Sequence, residues 1–244
     1  MLGIRGGDPS FRVDDGTVDP AVTAALVAFE AGQRSEPAVL SVLDASRLLV
    51  PVVAVPAGET HSPRPGHERA DLLTAGQGDK ISEMAMATLI GFDGRRAIPA
   101  FTCLDSMSRW RPAARPVPVA ARQVWQAAVH ESAAVVIDVA GPVRLTVEGA
   151  RLAALARGDP VPRAWADPDV LGIVSEVLAG ELAVAAFDLH PGDPDCDLVI
   201  SLALSPASAT HDVTGLAAEV GNAVMTRLGA RLRRGLAVRH GSGT

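Results

Sequence analysis

The chain has 244 residues, of which 48% are hydrophobic and 20% charged, and its formal net charge is −6. This length and composition predict a globular protein of one or two domains that needs neither a disulfide nor a metal to fold. The acidic balance disfavours a dedicated nucleic-acid binder, because phosphates require a positive protein surface.

The first predicted elements are two helices and a strand. Residues 1–18 are rich in Gly and Asp and are predicted to be disordered. Asp19-Pro20 begins a helix, because Asp caps a helix and Pro fits its first turn, and a shorter helix follows over 37–46. The apolar segment "RLLVPVVAVP", residues 47–56, predicts a strand buried on both faces, in which Pro51 indicates an edge position or a bulge.

The middle of the chain predicts a mobile insertion, a hairpin and a helix. Residues 57–78 are rich in Gly, Pro, His and charge, which is typical of a mobile insertion. In "LIGFDGRRAIPAFTCLDSMSRW", Asp93-Gly94 predicts a two-residue hairpin turn that pairs Leu89 with Ile98. A helix is expected over 104–110, where Arg111-Pro112 ends it.

The rest of the chain alternates helices and strands on either side of a Pro-rich joint. Before the joint we expect a helix to about His130, two strands and a helix over 149–157. The joint lies at Pro160–Pro168. After it we expect helix 168–179, strands 182–189 and 198–204, and helix 210–235. We predict an α+β fold: a central, mostly antiparallel sheet with helices packed on it, plus a smaller C-terminal helix-strand-strand-helix unit. The predicted parts are a disordered N-terminus (1–18), a first domain (19–158, with the mobile insertion 57–78) and a C-terminal α+β unit (168–240).

The segment from "RLLVPVVAV" through "IGFDGRRAIPAFT" to "PVPVAA" resembles the SseB family, named for enhanced serine sensitivity, and its actinobacterial members in particular. The resemblance covers about Arg47 to Gly158 and implies the α+β fold. It supplies no catalytic residues, and it implies a link to translation because actinobacterial relatives are often encoded near translation genes. The insertion 57–78 and Cys103, where a small polar residue is expected, depart from the family pattern.

Two groups of residues are candidate interaction sites. The first is a groove where the hairpin meets the helix, and the second is a basic stripe on the last helix, where residues 227–240 carry five Arg and no acid. An alternative is that these residues are solvated or pack in the core, with the last helix docked through an apolar stripe that includes Val220, Val224 and Leu228. The candidate residues are Arg95, Arg96, Thr102, Trp110 and Arg111 for the groove, and Arg227, Arg231 and Arg234 for the stripe.

No motif predicts a cofactor or a metal. "HPGDPDCD", residues 190–197, has the alternating Asp of a calcium loop but lacks its Gly and Glu, so a hairpin loop is the better interpretation. Cys103 and Cys196 form no CxxC and are interpreted as free thiols in a reducing cytoplasm. There is no tyrosine and no P-loop, and the chain shows no signal peptide or apolar run of membrane-spanning length.

Three functions follow as hypotheses. The first is a cytoplasmic, non-catalytic protein that acts through contacts with an unidentified protein partner, with no cofactor and no membrane association. The second is a translation- or ribosome-associated factor that contacts RNA through the basic C-terminal helix, and the third is an enzyme with a dispersed site. An exposed apolar patch would favour the first, a continuous basic face the second, and a pocket of shifted carboxylates and His the third.

Overall fold

The structure is a computed structural model that describes residue 11 and residues 13–55, 69–72, 83–91, 94–205 and 212–242. The chain forms two compact units, one from Met1–Ala24 and Ser41–Pro160 and the other from Ala25–Leu40 and Val161–Thr244. No helix within the described ranges is long and apolar enough to cross a membrane.

The first unit is built on a mixed sheet of seven described strands. They are β1 (Arg47–Val55), β2 (Arg69–Leu72), β3 (Glu83–Ile90), β4 (Arg96–Ala100), β5 (Arg115–Ala120), β6 (Ala134–Ile137) and β7 (Leu145–Val147). The order is β5-β1-β3-β4-β6-β7, with β2 paired to β3, and every pair is antiparallel except β4–β6. The mixed helices and strands and the mostly antiparallel sheet confirm the predicted α+β class.

Helices pack against this sheet through apolar side chains. The helices of the chain up to residue 160 are α1 (Pro20–Glu30), α2 (Glu36–Asp44), α3 (Leu104–Trp110), α4 (Ala121–His130) and α5 (Gly149–Arg157). Met107 of α3 packs with Leu49 and Phe101 in one buried cluster. Ile98 and Val135 are also buried and point to the opposite face from Phe101, because side chains alternate along a strand. Both faces of the sheet therefore contribute buried residues, as predicted.

The β3–β4 hairpin differs by one residue from its predicted register. Leu89 pairs with Ala97, whereas the predicted partner was Ile98. Gly94 has a φ of 78°, and its N–H donates to the Gly91 carbonyl at 2.9 Å. A glycine in this left-handed conformation closes a loop one residue longer than the predicted two-residue turn, and the longer loop shifts the register.

Pro51 lies in an interior strand, which corrects the prediction of an edge or a bulge. On one side of β1, Pro51 is opposite Pro116 of β5. On the other side, Leu49 exchanges two backbone hydrogen bonds with Phe101, and pairing to β3 begins at Val52. Backbone groups two residues apart in a strand point the same way, so the nitrogen of Pro51 points to the same side as that of Leu49. On that side it faces the gap between the two pairings, where no N–H donor is required.

The second unit is a three-stranded sheet with two helices. Its elements are α6 (Pro168–Val177), β8 (Val184–Pro191), β9 (Leu198–Leu204), α7 (Val213–Leu228) and β10 (Leu236–Ser242). The order is β10-β9-β8, with β9 antiparallel to β8 and parallel to β10. Val174, Ile200 and Val224 belong to one buried cluster, so the helices bury their apolar faces against β9.

The last predicted helix was too long. A helix was expected over 210–235, but α7 ends at Leu228, a 3-10 turn covers Gly229–Arg231, and Leu236 begins a strand. Gly235 has a φ of 77°, which lets the chain turn from the helix into β10. Val220 and Val224 are fully buried, so α7 does dock through the predicted apolar stripe.

Residues 25–40 group with the second unit, although the predicted first domain, 19–158, included them. Two contacts explain this grouping: Phe29 lies under the Arg233 guanidinium, and Glu36 bonds to Arg231. Residue 12 and residues 1–10 of the predicted disordered N-terminus lie outside the described residues. The predicted insertion 57–78 also lies outside them, except for residues 69–72, which form β2.

Candidate interaction sites

Arg95 and Arg96, two of the predicted groove residues, pair with carboxylates at the ends of helices. Arg95 Nη1 lies 2.7 Å from Glu148 Oε2, just before α5, and Arg96 Nη2 lies 3.6 Å from Glu131 Oε2, just after α4. Exposed pairs of this kind contribute roughly 0–1 kcal/mol to stability. The two arginines thus lie near the start of β4 and the ends of α4 and α5.

Thr102 is buried and is bonded to a carboxylate that the sequence analysis did not single out. Asp138 Oδ1 accepts the Thr102 N–H at 2.9 Å, and Oδ2 accepts the Thr102 Oγ1–H at 2.6 Å. Thr102 follows β4 and Asp138 follows β6, so this carboxylate joins the ends of two neighbouring parallel strands. Asp138 has a φ of 48°, a conformation that Asp tolerates better than most residues.

Burial raises the pKa of Asp138 above the usual carboxyl value, although hydrogen bonds from Thr102 and Ser106 act in the opposite direction. The side chain is 2% exposed, and the contacts described for its carboxylate are to Thr102 and Ser106. A hydrogen-bonded carboxylate of this kind stabilises the fold. The signal in the sequence was an Asp directly after a buried strand, but its partner 36 residues away could not be identified from spacing.

Trp110 and Arg111 lie at the opposite end of α3 from Thr102. The Trp110 ring packs on Phe101 with 5.5 Å between ring centroids, and the Arg111 guanidinium lies 5.2 Å from the Trp110 centroid. At the start of the same helix, Cys103 Sγ accepts the Ser106 N–H at 3.5 Å as the N-cap. The five predicted groove residues therefore make their described contacts at three separate places: one for Arg95 and Arg96, one for Thr102, and one for Trp110 and Arg111.

Each of the five C-terminal arginines is paired with a carboxylate of the second unit. The pairs are Arg227–Glu176, Arg231–Glu36, Arg231–Asp167, Arg233–Glu30, Arg234–Asp197 and Arg239–Asp193. The acidic partners come from distant parts of the chain, so the positive run in the sequence is neutralised in space. Arg227, Arg231 and Arg234, the predicted stripe, also occupy different elements: the last turn of α7, the 3-10 turn and the loop before β10.

Arg231 is the buried member of this set. Its side chain is 10% exposed, and those of Glu36 and Asp167 are 5% and 0% exposed. Its Nε donates to Glu36 at 3.1 Å, and its Nη2 donates to Asp167. Removing one partner from such a buried ion group leaves uncompensated charge, which is strongly destabilising.

The loop between β8 and β9 has the predicted character of a hairpin loop. Asp193 Oδ1 accepts the Asp195 N–H at 3.0 Å, and Oδ2 lies 2.8 Å from Arg239 Nη2. The hydrogen bond from the Asp195 N–H is the largest effect that lowers the pKa of Asp193. No group of three or more His, Cys, Asp or Glu within the described ranges is arranged to hold a metal ion.

A hollow with both apolar and acidic lining residues lies beside β8, the outer strand of the three-stranded sheet. Among the described strands, β8 pairs with β9 alone, which leaves its other edge unpaired. The hollow has a volume of about 310 Å³, and Leu171 of α6, in its wall, is 50% exposed. We call it the β8 hollow, and its lining residues are Trp165, Ala166, Asp167, Pro168, Leu171, Phe187, Asp188 and Leu189.

Together these features define an α+β protein with a partly apolar hollow at a sheet edge and with most of its described arginines engaged in ion pairs. Residues 22–154, more than half of the chain, match the family model of the SseB protein N-terminal domain. The chain belongs to the SseB family. No curated protein and no solved structure matches it. The matched residues end before the β8 hollow and the C-terminal arginines.

Proposed function

We propose that this SseB-family protein is non-catalytic and acts in the cytoplasm by binding another protein through the β8 hollow. The observation that carries the proposal is the edge of β8 that no described strand pairs with, beside a hollow with exposed apolar side chains within the second unit. An extended segment of a partner can add to such an edge, where main-chain hydrogen bonds provide affinity and a side chain in the adjacent hollow provides specificity.

The exposure of the hollow's apolar side chains supports this proposal. Leu171 is half exposed on α6, while Phe187 and Leu189 of β8 are partly buried. Burying apolar surface contributes about 25 cal/mol per Å². A partner side chain that packs against Leu171 would therefore bury apolar surface that is exposed in the isolated protein, and this burial would favour binding.

The RNA hypothesis has less support, because the arginines on which it depended are bonded to carboxylates. Arg231 would have to leave both Glu36 and Asp167 before it could contact a phosphate. The enzyme hypothesis required shifted carboxylates and His in one pocket. Among the described residues, Asp138 is the buried carboxyl with a shifted pKa, and its described bonds go to Thr102 and Ser106 rather than to a His.

The test is affinity capture from native lysate with the full chain, followed by mass spectrometry. Leu171→Asp places a charge at the wall of the β8 hollow, and Val129→Asp, at a residue 47% exposed on α4, is the matched control. We expect the wild type and Val129→Asp to retain the same partner and Leu171→Asp to lose it. Equal capture by all three proteins would contradict binding at the β8 hollow, provided that circular dichroism shows each variant folded.

A further inference from the structure

A second hollow in the second unit is lined by arginines. Its volume is about 200 Å³, which is below the roughly 300 Å³ of the smallest drug-sized pockets, so it suits a small group. Four guanidinium groups and two carboxylates contribute to its walls. The charged lining residues are Arg34, Arg163, Arg231, Arg234, Glu36 and Asp197, and we call this hollow the arginine cavity.

Both carboxylates of the arginine cavity are already bonded to arginines. Glu36 Oε2 accepts from Arg231 Nε at 3.1 Å, and Asp197 Oδ1 accepts from Arg234 Nε at 2.9 Å. Arg231 Nη2 also donates to Asp167, so the ion pairs of Arg231 and Arg234 take up three carboxylates. Arg34 and Arg163 are the guanidinium groups of the wall that these ion pairs leave without a described carboxylate partner.

Arg34 and Arg163 are exposed at the cavity and make no ion pair with a described carboxylate. The Arg163 guanidinium lies 5.4 Å from the centroid of Trp165, which also lines the cavity. Stacking on an aromatic ring orients a guanidinium while leaving its N–H donors available at the edge of the plane. Such a fork of donors matches the oxygens of a phosphate group.

The start of α2 adds a further positive contribution. Ser35, Glu36 and Pro37, at the N-terminus of this nine-residue helix, are part of the cavity wall. The aligned peptide dipoles place partial positive charge at a helix N-terminus, which favours bound anions. Arg231 is held in the same wall by buried carboxylates, so this side of the cavity is fixed before any ligand arrives.

We propose that the arginine cavity binds the phosphate group of a small phosphorylated compound. A phosphate monoester carries a charge close to −2 at neutral pH, which matches the two guanidinium groups that have no carboxylate partner. Trp165 and Pro162 supply an apolar wall for the organic part of the ligand. Trp165 lines both hollows, but Arg34 and Arg163 line the arginine cavity and Leu171 lines the β8 hollow, so separate variants test the two proposals.

The test uses inorganic phosphate as the probe, at fixed pH and ionic strength, with the indole N–H resonance of Trp165 as the signal. Trp110 and Trp125 do not line the cavity and serve as internal references. We expect a saturable shift of the Trp165 resonance in the wild type. The double variant Arg34→Gln/Arg163→Gln should weaken binding at least ten-fold, while Arg115→Gln, at an exposed arginine of the first unit, should not change it.

Two further titrations distinguish the class of ligand and its source. Succinate should bind more weakly than phosphate, and glycerol 3-phosphate should bind at least as tightly, if the site takes a small phosphate monoester. A phosphoserine peptide that bound while glycerol 3-phosphate did not would overturn the assignment to a small compound. The absence of a saturable shift, undiminished binding in the double variant, or tighter binding of succinate would each overturn the phosphate site. Phosphate binding should survive Leu171→Asp, so failure here is separable from failure of the proposed partner site.

Discussion

Replacing Asp138 by alanine would remove the carboxylate that joins the ends of β4 and β6. Its two hydrogen bonds with Thr102, at 2.9 and 2.6 Å, are buried. Hydrogen bonds to a charged group contribute about 1.5–3 kcal/mol each, and an ordinary residue in the left-handed conformation costs about 1–2 kcal/mol. Because the buried charge also carries a desolvation cost, we expect Asp138→Ala to lower the free energy of unfolding by about 3–5 kcal/mol.

Asp138→Asn is the matched control, because its amide oxygen can still accept the Thr102 N–H and Asn tolerates a positive φ. We expect it to change stability at pH 7 by less than about 1 kcal/mol, since the lost charge-assisted bond is offset by the relief of a buried charge. Urea unfolding measures both variants. Fluorescence in a Trp165→Phe background follows the first unit, where Trp110 and Trp125 lie.

The pH dependence gives an independent check on the environment of Asp138. The unfolded pKa is about 3.9, and burial raises the folded pKa above it. Between the two values the folded state holds a proton that the unfolded state has lost, so stability falls as pH rises through this window. The stability of wild type minus that of Asp138→Asn should therefore decrease with rising pH. An increase, or a loss below about 1 kcal/mol in Asp138→Ala, would refute this reasoning.

Two further changes test the packing of each unit. Phe101→Ala should lower the free energy of unfolding by about 3–5 kcal/mol, because the ring is fully buried. Its control, Val129→Ala at an exposed position, should lower it by less than about 0.5 kcal/mol. Similar losses for the two variants in urea unfolding would place Phe101 outside the core. Arg231→Gln should lower the free energy of unfolding by about 3–5 kcal/mol, because it leaves the buried carboxylates of Glu36 and Asp167 without their partner. Arg227→Gln, at an exposed ion pair, should have a much smaller effect on unfolding followed by Trp165 fluorescence, and equal effects of the two variants would contradict the buried ion group.

Local signals in the sequence were sufficient to predict several elements with their bounds. Helix 104–110 and strand 198–204 have the predicted limits, because a cap, a Pro or a turn lies directly beside each. The hairpin register and the turn into β10 were missed for a shared reason. Gly94 and Gly235 adopt a positive φ, but the sequence does not show whether the surrounding chain requires it.

The candidate sites were harder to predict because they depend on residues that are distant in sequence. Thr102 was singled out, but its bond to Asp138 crosses two strands. The β8 hollow combines Trp165 and Leu171 with Phe187, and none of these forms a motif by spacing. Periodicity identifies which residues are buried in one element, whereas a hollow is defined by the gap between elements.

The C-terminal arginines show how a charge pattern acquires a different meaning in three dimensions. Five Arg and no acid in residues 227–240 predicted a positive surface, yet Arg231 bonds to Glu36, 195 residues away. Electrostatic potential depends on distance in space, so carboxylates brought in by folding cancel a charge run that is continuous only along the chain. A four-fold Arg→Gln variant that includes Arg231 would therefore lose stability, contrary to the expectation for solvated charges. By the same argument, Arg34 and Arg163 are the better candidates for binding an external anion, because folding gives them no described carboxylate.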